Sequence, residues 1–177
     1  MLGLGDASHT IYMVDFGLTR LVIDPKTGEH IPFKTDKNLV GTCRFVSLNA
    51  HKGYELSRRD DLISLGYVMI NLFKGSLPWQ DIDTRKPSAR YRRLGRAKAK
   101  VSNAQLCAGC PQQFLTYMDT VTNLEFSQAP DFNALKALIL EAAFERDYDI
   151  FDKVFDWSIR LTQTKISSHA KSLVKPA

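Results

Sequence analysis

The sequence has 177 residues, of which 44% are hydrophobic, and a formal net charge of +5 at pH 7. This length predicts one compact core and is too short for two full domains. No apolar run reaches the roughly 18 residues of a membrane-spanning helix, and residues 1–10 lack the basic start and apolar centre of a signal peptide. A membrane partner is therefore not expected, and the expected location is the cytoplasm, the nucleus or both.

The three cysteines of the chain are Cys43, Cys107 and Cys110. An odd number argues against a disulfide framework and fits a reducing compartment. Cys107 and Cys110 have the spacing of a zinc or redox motif, but no second pair of Cys or His lies near them in the sequence. We therefore expect no metal or redox role, and no loss of activity on the substitution Cys110→Ser.

The first element in chain order is a predicted strand over residues 10–16, where "TIYMVDF" alternates and is rich in residues that favour strands. It is expected to end at Gly17. Residues 18–49 show no sustained period, and residues 24–28 have the composition of a turn. The sequence thus predicts a long loop, and loops of this length in compact domains are usually functional.

A helix is predicted from Ser57 onward, because Ser57-Arg58-Arg59-Asp60 has the form of a capping box. Apolar residues follow it at helical spacing: Leu62, Leu65, Met69, Leu72 and Phe73. The helix should end near Lys74-Gly75, where glycine can adopt the left-handed cap.

Two later apolar stripes also have the helical period, and both are interpreted as core packing. The first comprises Phe114, Tyr117, Met118, Val121 and Leu124, and the second comprises Phe132, Leu135, Leu138, Ile139, Ala142 and Ala143. Between them and the central helix, "VSNAQLCAGCPQQF" indicates a helix end followed by a helix that starts at proline. Residues 161–177 are small, polar and basic, and a disordered tail is predicted there.

Residues 85–100 form a strongly basic segment with eight Lys and Arg, and no acidic residue occurs between residues 84 and 118. Such a segment attracts anions. Two interpretations stay open. The segment is either a solvated loop and helix face, or a site for a phosphorylated protein, a nucleic acid or a nuclear import receptor.

Several unusual motifs follow one another in a fixed order along the chain. They are Asp15-Phe16-Gly17, Gly41-Thr42-Cys43-Arg44-Phe45, Ser47-Leu48-Asn49, "ELSRRDDLISLGYVM", "GSLPW" and "YDIFDKVFDW". Together they resemble the carboxy-terminal lobe of the casein kinase 1 family of protein serine/threonine kinases. The resemblance implies a mainly α, protein-kinase-like lobe over residues 1–160, with a small β-hairpin around the metal strand, a long activation segment and no amino-terminal lobe.

The resemblance also implies roles for residues that match its motifs. Asp15 resembles the carboxylate that holds magnesium on the nucleotide phosphates, with Gly17 beside it in the cofactor site. Thr42 corresponds to the substrate-positioning loop. Arg44 resembles the arginine of a pocket for a phosphate or acidic residue of the substrate, because a guanidinium can bind two oxygens at once. Further residues expected in the substrate or anion pocket are Gly75, Ser76 and Lys86, with Arg85 as an alternative to Lys86.

Structural roles are implied for Ser47, Asn49, Arg59, Asp61 and Trp157. Asp61 matches a buried aspartate that binds backbone amides of the kinase catalytic loop, although an acid in the first helical turn is also favoured by the helix dipole alone. The chain departs from the family after Leu124, where Glu125 replaces an arginine. The Ser-Leu-Asn segment is therefore expected to be anchored differently.

Three parts of a kinase do not occur in the 177 residues: the Gly-rich loop, the ATP-binding lysine and the His-Arg-Asp catalytic loop. The complete family enzyme uses Mg and ATP, but this chain alone is expected neither to bind ATP tightly nor to transfer phosphate. Two functions are open. One is a partial kinase domain that acts on acidic or phosphorylated protein substrates and has a missing amino-terminal half as a candidate partner. The other is a pseudokinase-like binding module. Nucleic acid is not the expected partner.

Overall fold

The computed structural model describes residues 1–82, 87–152, 154–155 and 157. The described part is mainly helical, as predicted. It contains a short 3-10 helix at Gly5–Ala7 and six α-helices: α1 Leu48–His51, α2 Arg58–Lys74, α3 Pro87–Lys100, α4 Asn103–Leu106, α5 Gln112–Asn123 and α6 Phe132–Phe144. The predicted tail over residues 161–177 lies outside the described residues. None of the described helices has the length and apolar character needed to cross a membrane.

The chain forms two compact units, one of which combines Met1–Gly17 with the described residues from Tyr148 onward. In this unit Leu2 and Ile11 form one antiparallel β-bridge, and the amide of Tyr12 donates to the carbonyl of Met1 at 2.8 Å. The predicted strand over residues 10–16, and the hairpin around it, are therefore reduced to this bridge. The alternation of apolar residues did not suffice to predict a strand, because within the described ranges residues 13–16 have no neighbouring strand that pairs with their backbone.

The carboxy-terminal part of the same unit is held by Trp157. Its Nε1 donates to the carbonyl of Ser8 at 3.0 Å, and its ring stacks on Phe155 with centroids 4.5 Å apart. The indole of Trp157 thus joins two stretches that are far apart in sequence, which is the kind of contact that a structural role requires.

The second unit is Leu18–Asp147, and its central helix α2 begins and ends where the sequence predicts. The amide of Ser57 donates to Asp60 Oδ2 at 2.9 Å. At the other end Gly75 has a φ of 80°, and its amide donates to the carbonyl of Asn71 at 2.9 Å. Both ends are local motifs, because each involves residues at most four apart in the chain.

The buried face of α2 coincides only in part with the apolar residues that predicted the helix, since Leu62 and Met69 are partly buried against the core. The core side carries Ile63, Tyr67 and Ile70, whereas Leu65 and Leu72 are exposed. Because α2 is apolar on more than one side, the helical period alone did not identify the face that packs.

Helix α5 packs between α2 and α6. Gly66 allows a close approach of α2 to α5, since a Cβ at this position would lie 2.3 Å from the sulfur of Met118. The first predicted stripe is largely confirmed: Tyr117, Met118, Val121 and Leu124 are buried. The second is confirmed only in part. Leu135 and Ala142 are buried, while Phe132 and Ile139 are exposed.

The long loop before α1 is ordered by local turns and by aromatic contacts. The predicted turn at residues 24–28 is present, with the amide of Gly28 donating to the carbonyl of Asp24 at 2.8 Å and a β-bridge between Ile23 and His30. Further along, the ring of Phe33 packs edge-to-face on Phe126 at 5.2 Å. This loop leads into the segment that carries Thr42 and Arg44.

Candidate functional site

The candidate site is built on a tight turn at residues 42–46. The carbonyl of Thr42 accepts hydrogen bonds from the amides of Phe45 at 2.8 Å and Val46 at 3.2 Å. Trp79, whose side chain is 1% exposed, donates from Nε1 to the carbonyl of Arg44 at 2.9 Å. The backbone of Arg44 is thereby fixed to the buried tryptophan of the "GSLPW" motif.

A buried lysine holds the same turn from its other side. Lys98 of α3 is 4% exposed, and its Nζ donates to the carbonyls of Cys43 at 2.9 Å and Val46 at 2.5 Å. The ammonium group also lies 5.1 Å from the ring centroid of Tyr67 and 5.3 Å from that of Trp79. Carbonyl oxygens and aromatic faces both attract a cation, so Lys98 is solvated by protein groups in place of water.

The electrostatics of this lysine are unusual, because no carboxylate pairs with it in the part of the chain that the structure describes. Burial lowers the pKa of Lys98 from 10.5 to about 7. Burial likewise raises the pKa of the neighbouring Cys43 thiol, against the effects of Tyr91 and Lys98. The sequence predicts a solvated or anion-binding segment around Lys98. For this residue both interpretations are wrong, because its side chain is buried.

The Ser-Leu-Asn segment is anchored on a buried aspartate. Asp60 is 2% exposed, and its Oδ1 accepts hydrogen bonds from Ser47 Oγ at 2.6 Å and Asn49 Nδ2 at 2.9 Å. Ser47 also caps α1, since its Oγ accepts from the amide of Ala50 at 3.2 Å. The segment after Arg44 is therefore held to the start of α2 by hydrogen bonds that involve both predicted structural residues, Ser47 and Asn49.

The buried acid of this region is Asp60, and the prediction that Asp61 is the buried one is wrong. Asp61 lies in the first turn of α2, as predicted, but it is exposed. Partial desolvation and the charge of Asp60 raise the pKa of Asp61. The two positions differ because Asp60 faces Ser47 and Asn49, whereas Asp61 points away from them.

Arg59 provides an anchor next to Glu125. Its Nη1 donates to the carbonyl of Leu124 at 3.0 Å, and its guanidinium lies 5.9 Å from the ring centroid of Phe126. The predicted structural role of Arg59 thus corresponds to a contact with the residue just before Glu125.

A charge cluster that the sequence did not indicate orders the loop before the turn. Glu55 is 5% exposed; its Oε1 lies 2.8 Å from Arg20 Nη1 and its Oε2 lies 2.7 Å from Lys37 Nζ. The hydrogen bond from Lys37, opposed by burial and assisted by Arg20, lowers the pKa of Glu55. The three residues are far apart in sequence and share no motif, so only the structure could reveal this cluster.

The other residues of the predicted anion pocket lie on the turn itself or shortly before Trp79. Thr42 is exposed and Arg44 is half-buried, with its guanidinium 5.8 Å from the ring centroid of Phe45. Gly75 and Ser76 are exposed and precede Trp79, which binds the backbone of Arg44. Lys86 and Arg85 lie outside the described residues.

Asp15, the predicted magnesium ligand, is exposed and lies in the smaller unit. Its φ is 66°, a left-handed conformation that aspartate tolerates better than most residues, and its Oδ1 accepts from the amide of Gly17 at 3.3 Å. Among the described residues no group of three or more His, Cys, Asp or Glu could hold a metal. The carboxylate fits the role of one hard oxygen ligand, and Mg²⁺ commonly takes its other ligands from phosphates and water.

The thiols of Cys107 and Cys110 have the environment of structural cysteines. The amide of Cys110 donates to the carbonyl of Cys107 at 2.8 Å, so the two residues form a turn and no disulfide. Burial raises the pKa of both thiols, that of Cys107 to about 11. A thiol that stays protonated is a poor nucleophile and a poor metal ligand.

None of the known protein-family models matches this chain. The resemblance to the casein kinase 1 family therefore stays a prediction that depends on the ordered motifs quoted above.

Proposed function

We propose that the larger unit binds acidic or phosphorylated protein segments, as the substrate-docking part of a casein kinase 1-type serine/threonine kinase domain. The observation that carries this proposal is the double anchoring of the turn at residues 42–46. Trp79 fixes the carbonyl of Arg44, and Lys98 fixes the carbonyls of Cys43 and Val46. A turn held in this way presents Arg44 with little loss of backbone entropy on binding.

The chemistry of Arg44 suits an anionic partner. A guanidinium is always charged and can donate two parallel hydrogen bonds to a phosphate or carboxylate, each of which is stronger than a neutral hydrogen bond. In a kinase of this type, such a contact upstream of the target serine would place the hydroxyl for phosphoryl transfer. Binding and positioning are therefore the tasks that we assign to this unit.

Magnesium and ATP would supply the phosphoryl group and the charge neutralisation of the transfer step. Asp15 is the residue of this chain that would hold the metal. Phosphoryl transfer depends on positioning and electrostatic stabilisation by several groups, and the loss of a general base alone typically lowers rates by about 10² to 10⁴. We expect the isolated 177-residue chain to show no transfer above background with magnesium, radiolabelled ATP and an acidic serine peptide. Rates ordinary for kinases would contradict this part of the proposal.

The binding function is tested with the substitution Arg44→Ala and a fluorescein-labelled peptide that carries one phosphoserine upstream of a serine. We expect the affinity, measured by fluorescence anisotropy at low ionic strength, to fall about tenfold, since one charge-assisted interaction contributes about 1.5 kcal/mol. The matched control is Arg93→Ala, which removes the same charge from an exposed position of α3. Equal affinities of Arg44→Ala and the unmodified chain would overturn the assignment of Arg44.

A further inference from the structure

The larger unit contains a cavity of about 730 Å³ between the loop at residues 36–39, residues 48–53 and the face of α3 at residues 91–99. We call it the α1–α3 groove. Its volume lies in the range of roughly 300 to 1,000 Å³ that is typical of ligand sites. The two helices can meet closely at its base because a Cβ on Gly95 would lie only 3.0 Å from the Cβ of His51.

Three exposed cations line this groove: Lys52 after α1, and Arg92 and Arg96 on α3. Arg92 and Arg96 are four residues apart on a helix, so their side chains project from the same face one turn apart. None of the three forms an ion pair within the described ranges. Like charges at this spacing destabilise a helix, and a bound anion would remove that repulsion.

The other titratable residues of the groove do not cancel this charge. Lys37 is already paired with Glu55 at 2.7 Å. Burial and the charge of Lys98 lower the pKa of His51, which favours its neutral imidazole. Asp36 is the one acidic side chain among the described lining residues, and a single carboxylate cannot balance the three cations.

We propose that the α1–α3 groove is a second anion-binding site, which takes a multiply phosphorylated or acidic protein segment through Lys52, Arg92 and Arg96. The groove is a concave site with cations on two of its walls, so one segment can contact both walls at once. This proposal rests on the proposed function, because it takes a protein as the partner. The positive charge of the groove does not depend on Arg44, which is not among the residues that line it. Of the two interpretations of the basic segment, this proposal favours an anion-binding site over a solvated helix face for Arg92 and Arg96.

The shape and the lining favour a protein segment over a nucleic acid. Single-stranded nucleic acids are commonly bound on successive exposed aromatic rings, each of which stacks on a base. In this groove Tyr91 is the one exposed aromatic side chain among the described lining residues, and the ring nitrogens of His51 are buried. Leu39, Leu48 and Ala99 add apolar surface that suits the side chains of a peptide.

The proposal is tested with the double substitution Arg92→Ala/Arg96→Ala and the matched control Arg93→Ala/Lys100→Ala. Both variants remove two positive charges from exposed positions of α3, but only the first pair lines the groove. The probe is a fluorescein-labelled peptide with a run of phosphoserines and aspartates, titrated by anisotropy at low and at physiological salt. Far-UV circular dichroism verifies that both variants keep their helices, as expected from the high helix propensity of alanine.

We expect the groove variant to bind at least tenfold more weakly and the control variant less than threefold more weakly. Equal losses of affinity in the two variants would show that the peptide is attracted by net charge alone, and would overturn the proposal of a binding site in the groove. Stronger binding of a single-stranded oligonucleotide than of the peptide would overturn the choice of partner. The two proposals fail separately: the singly phosphorylated peptide reports on Arg44, whereas the groove is judged by the difference between the two double variants.

Discussion

The segment that carries Arg44 and the segment that carries Asp15 differ in how firmly each is held. Residues 43–50 receive side-chain hydrogen bonds from Trp79 and Lys98, and donate to Asp60, all of which are buried. In the other segment, the carboxylate of Asp15 bonds to Gly17 within its own turn, and the residues around it are exposed.

This difference indicates which of the two segments is preorganised by the chain itself. Stability is not uniform across a protein, and segments with many buried contacts open far less often than exposed ones. The geometry of the Arg44 turn is thus specified by long-range contacts within the larger unit. The conformation of Asp15 is specified by neighbours in sequence, so a bound ligand could adjust it at small cost. Substitutions in the two segments should therefore differ widely in their effects on stability.

The largest effect on stability is expected for Asp60→Ala, which removes the carboxylate that accepts hydrogen bonds from both Ser47 and Asn49. The substitution leaves two buried donors, Ser47 Oγ and the backbone amide of Ser57, without their acceptor. The half-buried side-chain amide of Asn49 loses its acceptor as well. Leaving buried donors unsatisfied costs about 1 to 3 kcal/mol each when they cannot reach water, so we expect a loss of about 3 kcal/mol or more in the free energy of unfolding. Urea denaturation followed by circular dichroism measures it.

The control for this substitution is Asp61→Ala, one residue further along α2. Asp61 is exposed and also lies in the first helical turn, so its removal should cost no more than about 0.5 kcal/mol. Similar losses for the two variants would show that Asp60 does not anchor the segment and that the contrast between the two segments is wrong.

The next effect is a dependence of stability on pH that is specific to Lys98. Its pKa is about 7 in the folded chain and near 10.5 in the unfolded chain. Between these values the unfolded state binds the extra proton, so the free energy of unfolding rises with pH. A difference of one bound proton changes the free energy of unfolding by roughly 1.4 kcal/mol per pH unit. Because Lys98 is still partly protonated in the folded chain near pH 7, we expect it to raise this free energy by about 2 kcal/mol from pH 6.5 to 8.5.

The substitution Lys98→Met isolates this term, because it keeps the length of the side chain and removes the charge. The difference in unfolding free energy between the unmodified chain and Lys98→Met should shift in favour of the unmodified chain as the pH rises from 6.5 to 8.5. A difference that stays constant over this range would show that the two carbonyls and two aromatic rings keep Lys98 fully protonated, with a pKa above this window.

The predictions that the structure confirms are those whose determinants are local in the sequence. Ser57 with Asp60 marks the start of α2, and Gly75 marks its end, since each motif involves residues within one turn. The general prediction of a mainly helical unit also follows from local periodicity. The sequence does not show whether Asp60 or Asp61 is the buried acid, because both occur in the same short motif. They differ in that only Asp60 accepts hydrogen bonds from Ser47 and Asn49.

Predictions failed where the answer depends on contacts between distant segments. Ile63 and Leu65 are both apolar, but Ile63 is buried in the core and Leu65 is exposed. The basic segment contains both the buried Lys98 and the exposed Arg96. One signal for Lys98 was available, since it follows the buried Leu94 by four residues and so shares its helical face.

The smallest effect is expected for Asp15→Asn. Asparagine tolerates the left-handed conformation at a φ of 66°, keeps an oxygen that can accept from the amide of Gly17, and stays exposed. The free energy of unfolding should therefore change by less than about 0.5 kcal/mol. The same comparison can be made without a substitution, since backbone amides at residues 13–17 should exchange with deuterium much faster than those of Val46 and Ala50. A loss for Asp15→Asn as large as that for Asp60→Ala, or equal exchange in the two segments, would mean that contacts beyond its own turn also hold the conformation of Asp15.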